Sequence, residues 1–289
     1  MKIAVASGKG GTGKTMVATS LAASLAPRLS VQFLDCDVEA PNAHLFLKPV
    51  INQVTPAVIQ LPEIDKARCT VCGRCIQVCA YNALAKIGEN ILVFPQLCHG
   101  CGSCTRQCPE KAIIEVPKQI GTISLGKTAG DISYGMGELS ISEPMPTPII
   151  NQLKASFSDD GADLTILDSP PGASCSVVAT VHDADFVLLV TEPTPFGLHD
   201  LKQMLGVVAQ TGTPAGVIVN REGIGGTPVE NLLFEHDIPI LLTIPFRIEI
   251  AEGLAAGELL TDILPEYKTR FIDIFNVIQN KLKQPEGTK

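Results

Sequence analysis

Residues 7–15, "SGKGGTGKT", decide how the 289-residue chain is to be read. Gly8 to Thr15 fit the spacing GxxxxGK[S/T]; a short apolar run, residues 2–6, precedes them, and "KTMVATSLAASLA", small and apolar enough for a helix, follows. Strand, glycine-rich turn and helix in that order make a cradle for phosphate. Gly8, Gly10, Gly11 and Gly13, with Lys9 and Thr12 between them, let successive backbone N–H groups face one concavity, to which the helix N-terminus adds partial positive charge. Lys14 is then placed to reach the terminal phosphates of ATP or ADP and the Thr15 hydroxyl to ligate Mg²⁺, with Met16 closing the loop.

Outward from the loop, β-branched and Leu-rich runs at residues 2–6, 31–34, 164–167, 186–190, 216–219 and 240–244 alternate with helical patterns. Several are apolar at every position, as strands covered on both faces must be. The expected fold is therefore α/β, a parallel sheet flanked by helices. Between residues 62 and 117 cysteines, glycines and turn residues replace the pattern, so residues 63–117 are expected to form a small inserted α+β unit and residues 1–62 and 118–289 the nucleotide-binding domain. Residues 118–148, rich in Gly, Ser and Thr with alternating pieces such as "ELSIS", are expected to lead back to the sheet as hairpin strands.

The 22 Lys and Arg against 30 Asp and Glu leave a net charge of −8, which argues against nucleic acid as a partner. No apolar run approaches the ~20 residues that span a bilayer, which argues against a membrane protein. The chain opens on a strand that runs into glycines rather than on a signal or transit peptide, and eight of its ten cysteines fall in two metal-type runs; both features point to the reducing cytoplasm.

Those runs are Cys69, Cys72, Cys75, Cys79 and Cys98, Cys101, Cys104, Cys108, each CxxCxxCxxxC, the second closed by Pro109. Zinc binds four thiolates, but zinc leaves the third and fourth cysteines of each run unexplained. The spacing resembles that of bacterial two-cluster ferredoxins, in which the fourth cysteine of each run crosses to the other cluster. The resemblance implies one 4Fe–4S cluster on Cys69, Cys72, Cys75 and Cys108 and a second on Cys79, Cys98, Cys101 and Cys104. The first run carries Ala80 where proline is usual.

Lys9, at the head of "KGGTGKT", gives the phosphate loop a second lysine. In this it resembles the deviant Walker A motif of the MinD/Mrp superfamily (SIMIBI class) of P-loop ATPases, which includes MinD, ParA, the nitrogenase iron protein and the Mrp-type cluster carriers. That resemblance implies an ATP-sandwich dimer, of two identical chains or of this chain with a paralogous subunit, in which Lys9 reaches the partner's nucleotide. It makes Asp37, in "LDCDVEAPNAH", the switch I residue that orients water, and Asp168, in "LTILDSPPG", the switch II carboxylate; both join Thr15 in the Mg²⁺ sphere. Asn220, Arg221, Pro245 and Phe246 match positions beside the base, although an Asn after a strand is also an ordinary turn residue. Asp35 is open to a structural or a catalytic role. Cys175, seven residues beyond Asp168, matches the offset of a cluster-bridging cysteine in the iron protein but equally suits packing, and Cys36 reads as a buried small residue. A stripe of Tyr267, Phe271, Ile274, Phe275, Ile278 and Leu282 describes a C-terminal helix that faces the core, rather than a membrane as in MinD. Together the motifs imply an ATPase that couples nucleotide state to electron transfer through two clusters and hands electrons to a protein partner. The alternatives are a cluster assembly carrier or a positioning ATPase whose clusters are structural or redox-sensing.

Overall fold

Runs without polar residues become the inside of a sheet, because only a strand covered on both faces can bury every side chain. The computed structural model describes residues 1–157, 161–224, 226 and 229–283. Its strands in chain order are β1 (Lys2–Ala6), β2 (Val31–Asp35), β3 (Val50–Ile64), β4 (Leu84–Ile87), β5 (Asn90–Val93), β6 (Ile113–Lys127), β7 (Ser133–Leu139), β8 (Leu164–Asp168), β9 (Phe186–Thr191), β10 (Ala215–Glu222) and β11 (Ile240–Pro245). Its helices are α1 (Lys14–Leu25), α2 (His44–Leu47), α3 (Arg74–Gln77), α4 (Ser103–Arg106), α5 (Thr147–Ala155), α6 (Cys175–Val181), α7 (Pro195–Thr211), α8 (Glu230–Glu235), α9 (Ile248–Ala255), α10 (Leu260–Ile263) and α11 (Glu266–Lys283).

Among the described residues nine strands form one sheet in the order β11-β10-β9-β1-β8-β2-β7-β6-β3. Neighbours from β11 to β7 are parallel, whereas β6 runs antiparallel to both β7 and β3. One face packs Phe33, Phe186 and Tyr134 against α1 and α11, the other packs Leu167 and Leu189 against α5, α6 and α7. The sheet is thus mostly parallel and flanked by helices. From β1 the chain moves first to one side of the sheet and later to the other, so the loops after β1, β2 and β8 meet where the direction of winding reverses, the place where α/β sheets bind ligands.

All six expected strands are present, each at least as long as its apolar run. Helix α11 buries Tyr267, Phe271, Ile274, Phe275 and Ile278 in the core, as its stripe requires. No described helix is long and apolar enough to cross a membrane. The pattern break at 62 and 117, in contrast, does not end a strand. β3 and β6 pair from Val50↔Lys127 to Ile64↔Ile113, a two-stranded ribbon that leaves the sheet and continues past both positions, with register shifts after Ile51 and Ala57. β6 and β7 do form the expected return, but β7 ends at Leu139, so only the first residues of "ELSIS" are strand.

Beyond Ile64 and Ile113 lie α3, α4 and the β4–β5 hairpin, around a small core of Cys75, Ala83, Leu84, Ile91, Cys98, Cys104 and Ile113. The two cysteine runs turn alike: Gly73 (φ 79°) and Gly102 (φ 71°) are left-handed and start α3 and α4 between the second and third cysteine of each run. A side chain resists that conformation, which is why glycine stands at both positions.

Candidate functional site

The phosphate loop joins β1 to α1. Gly13 is left-handed (φ 95°), and a Cβ there would strike the Asn220 amide; a Cβ at Gly8 would strike the backbone of Asp200 in α7. These two glycines therefore admit neighbours, while the other loop glycines shape the curve. The sheet register sets Asp168 beside Val5 of β1 and beside Asp35 of β2, so two carboxylates end adjacent parallel strands under the loop. Lys14, itself buried, donates from Nζ to Asp168 Oδ1 at 2.9 Å. Burial works most strongly against the Lys14 ammonium, but the charge and hydrogen bond of Asp168, with the charges of Asp37 and Asp35, together outweigh it and raise its pKa. Asp168 Oδ2 is buried without a hydrogen-bond partner.

Asp35 is fully buried and accepts backbone N–H bonds from Asp37 (3.2 Å), Asn42 (3.0 Å) and Ala43 (3.0 Å). Its role here is structural: it ties down the loop that carries Asp37. Burial first, then the neighbouring Asp168, push its carboxyl up to about 8, against the pull of the Ala43 N–H and Lys14. Asp37 rises to about 6, mainly through burial and opposed by Lys14.

Lys9 pairs with Glu192 of its own chain, at the end of β9. Glu192 also accepts from Arg221 Nη1 at 3.0 Å and Thr194 Oγ1 at 3.2 Å; burial would raise its pKa, but Lys9 and the other donors hold it below the usual carboxylate range. Glu192 escaped the sequence reading. Its one local signal is a charge placed two residues beyond the apolar run 186–190. Asn220, matched to the base by the resemblance, donates from Nδ2 to the Thr12 carbonyl at 2.7 Å and accepts at Oδ1 from the Arg221 N–H, so it also buttresses the loop. Residues 9–16, Asp37, Asn220, Arg221, Pro245 and Phe246 line one cleft of about 650 Å³, within the range of small-molecule sites. Gly8 and Asp168 are not part of that lining, and Phe46, Arg247 and Ile250 are among the other residues of its walls.

The cysteines surround two further cavities. One is lined by Cys69, Cys72, Cys75 and Cys108, the other by Cys79, Cys98, Cys101 and Cys104, so each draws three cysteines from one run and one from the other. Burial pushes up the thiols of Cys75, Cys98 and Cys104, whereas the Ser103 hydroxyl lowers that of Cys101. Among the described residues no group of three or more His, Cys, Asp or Glu is arranged to hold a metal ion. Cys36 is fully buried, its thiol pushed up by burial, in the apolar layer under α5 and α6. Cys175 is exposed at the start of α6.

A glycine-rich loop between strand and helix, a buried lysine against the carboxylate of the adjacent strand and a nucleotide-sized cleft define a P-loop nucleoside triphosphatase. The chain belongs to the CobQ/CobB/MinD/ParA nucleotide binding domain family, whose model matches residues 3–261. Two uncharacterized proteins of Methanocaldococcus jannaschii, MJ0578 and MJ0579, are 31% and 32% identical to it over 91% and 89% of this chain and 90% of theirs. A stretch covering 23% of the chain is 34% identical to ferredoxin-3 of Nostoc, of which it spans 86%. In fold the chain resembles the septum site-determining protein MinD of Pyrococcus horikoshii, solved with Mg-ADP, at a TM-score of 0.59 with 19% identity, covering 98% of this chain and 97% of that one.

Proposed function

We propose that this chain is a Mg²⁺-dependent ATPase that acts as a dimer, with itself or with a paralogous subunit, and couples nucleotide state to one-electron transfer through two 4Fe–4S clusters. The observation that carries the electron-transfer part is the sorting of eight cysteines around two cavities. Each cavity takes three thiols from one run and the fourth from the other, the exchange that two-cluster ferredoxins make. Four thiolates on one zinc ion would crowd to about 3.8 Å, given Zn–S bonds of ~2.3 Å. A 4Fe–4S cluster instead takes four thiolates on four irons, the number that each cavity supplies. The similarity to a ferredoxin supports the same reading. When bound, each cluster supplies a one-electron carrier of low potential.

At the cleft, Thr15 and Asp37 are the residues that would hold Mg²⁺, with the partnerless Oδ2 of Asp168 behind them. Lys14 would exchange Asp168 for the terminal phosphate of ATP, and Asp37 would orient the attacking water. Lys9, held by Glu192 in the single chain, would be released to the nucleotide of the partner subunit, where its charge offsets that of the transferring phosphoryl group. The expected recipient of the electron is another protein.

Anaerobic protein titrated by EPR with and without a non-hydrolysable ATP analogue tests the proposal. Cluster signals for about eight irons per chain and a potential shift of tens of millivolts are expected, since ~59 mV corresponds to tenfold in a one-electron equilibrium. Unchanged potentials during active hydrolysis would sink the coupling and leave delivery of a cluster to an apo-acceptor as the better account.

A further inference from the structure

No described side chain of α5 lines the cleft or the cysteine cavities, yet three of them reach the elements around both. Ile149, fully buried, rests on glycines of β6 and β7. A Cβ at Gly121 would run into its side chain at 2.5 Å, and a Cβ at Gly137 would stand 2.8 Å from it and 2.7 Å from Val38, the residue after Asp37. The backbone of that switch segment is joined to the same strand, where the Leu139 N–H donates to the Val38 carbonyl at 2.7 Å. Lys154 donates from Nζ to the carbonyls of Ala179 (2.8 Å), Thr180 (3.3 Å) and His182 (2.6 Å), at the end of α6, the helix that follows Asp168 and the Pro170-Pro171-Gly172 turn. Gln152 binds both backbone groups of Val58, accepting from its N–H at 3.2 Å and donating to its carbonyl at 3.0 Å, as a neighbouring strand would.

Val58 marks the second register shift of the ribbon, a point where the ladder between its paired strands is locally interrupted. Past it, the ribbon carries the cysteine module. A Cβ at Gly100 would lie 3.2 Å from the Gln60 carbonyl and from the Ile59 Cβ, so the loop holding Cys98 and Cys101 sits two residues from the shift. Both switch segments and the root of the ribbon thus touch one short helix. Tightly packed contacts of this kind move as a unit, because close-packed interiors do not deform smoothly.

We propose that α5 is the transmission between the nucleotide cleft and the cysteine module, with Lys154 and Gln152 as the positioning residues at its two ends. When the switch segments rearrange, α5 shifts with α6 and Val38, and Gln152 passes the shift to Val58, changing the angle at which the ribbon presents the module. This inference rests on the proposal that the cleft binds ATP and that nucleotide moves the switches; it needs no cluster to be present.

Hydrogen–deuterium exchange of the full chain, with and without Mg²⁺ and a non-hydrolysable ATP analogue, tests it in the wild type and in Gln152→Ala, Gln152→Glu and Lys154→Met. In the wild type the analogue should alter exchange both in α1 and in residues 56–64 and 113–121. In Gln152→Ala, basal exchange around Val58 should rise roughly fivefold with two backbone hydrogen bonds lost. Protection of α1 should persist while the nucleotide response of the ribbon falls to roughly a third or less. Gln152→Glu, which keeps the acceptor and loses the donor, should respond in between and serves where the alanine variant fails to fold. A variant with faster basal exchange but an undiminished nucleotide response would reduce Gln152 to a structural role and overturn the proposal. A silent ribbon in a wild type whose α1 is protected would overturn it as well, whereas an α1 that ATP does not protect would remove the nucleotide reading beneath it.

Discussion

On the faces of the sheet, whole aromatic and aliphatic side chains such as Phe33, Phe186, Phe271, Ile149 and Leu153 are buried, whereas in the cysteine module three of the seven buried apolar residues are cysteines. The sheet can hold itself together by removing apolar surface from water. A unit as small as residues 65–112 has too little such surface, and its buried thiols are positions that become strong bonds only when a metal group takes them. On the cluster reading proposed above, one chain would therefore contain a region whose order belongs to its sequence and a region whose order is conditional on what it binds.

The sharpest way to break this contrast is to disable each region separately. Lys14→Ala removes the ammonium paired with Asp168 and should lower phosphate release by about a thousandfold or more, with iron content unchanged. A variant retaining a tenth of the rate would mean that the loop is not the phosphate site. Chelation of iron, or Cys98→Ser, should raise amide exchange in residues 65–112 by roughly a hundredfold while β1 and β8 keep their protection. A module that stays protected without iron would show that its small core suffices and would erase the contrast.

A smaller effect separates the regions by pH. The Asp35 carboxyl lies above its ordinary value in the folded chain, at about 8, and Asp37 at about 6, so the folded state binds these protons more tightly than the unfolded one. Their contribution is complete below about pH 4 and is lost as pH rises through those values. Melting of the nucleotide-free protein should fall by a few degrees from pH 6 to 8, and Asp35→Asn should flatten that slope at the price of looser backbone around Asp37. A melting point that rises over the same interval would contradict the burial of these carboxylates. Least of all should change in Cys175→Ser: this thiol is exposed and lines neither cysteine cavity, and iron per dimer should equal that of the wild type. Loss of about two irons per chain would instead argue for a cluster shared between subunits.

How much of this could be read from sequence depended on how local the cause was. The six apolar strands and the stripe on α11 were legible because burial on both faces, or on one, writes a period into consecutive residues. β3 and the outer part of β6, before residue 118, were not, since the outer ribbon has polar and exposed residues on both sides and no period survives. β7, "SYGMGEL", carries glycines at 135 and 137 because side chains of α5 and of residues 38 and 157 occupy the space a Cβ would take, a reason that lies in the tertiary packing. At the site, the motif residues around Lys14 could be placed from spacing alone. Glu192 and the buttressing contact of Asn220 could not, because each acts on a partner roughly 200 residues away in the chain.

The register of the ribbon has one further consequence. Ile64 and Ile113 face each other as paired residues, so everything between them begins and ends about 5 Å apart, at the tip of a hairpin whose root alone belongs to the sheet. Such a tip is a socket. A segment spliced into it, exchanged or removed enters and leaves the chain at one point, away from the strands that carry the phosphate loop and Asp168.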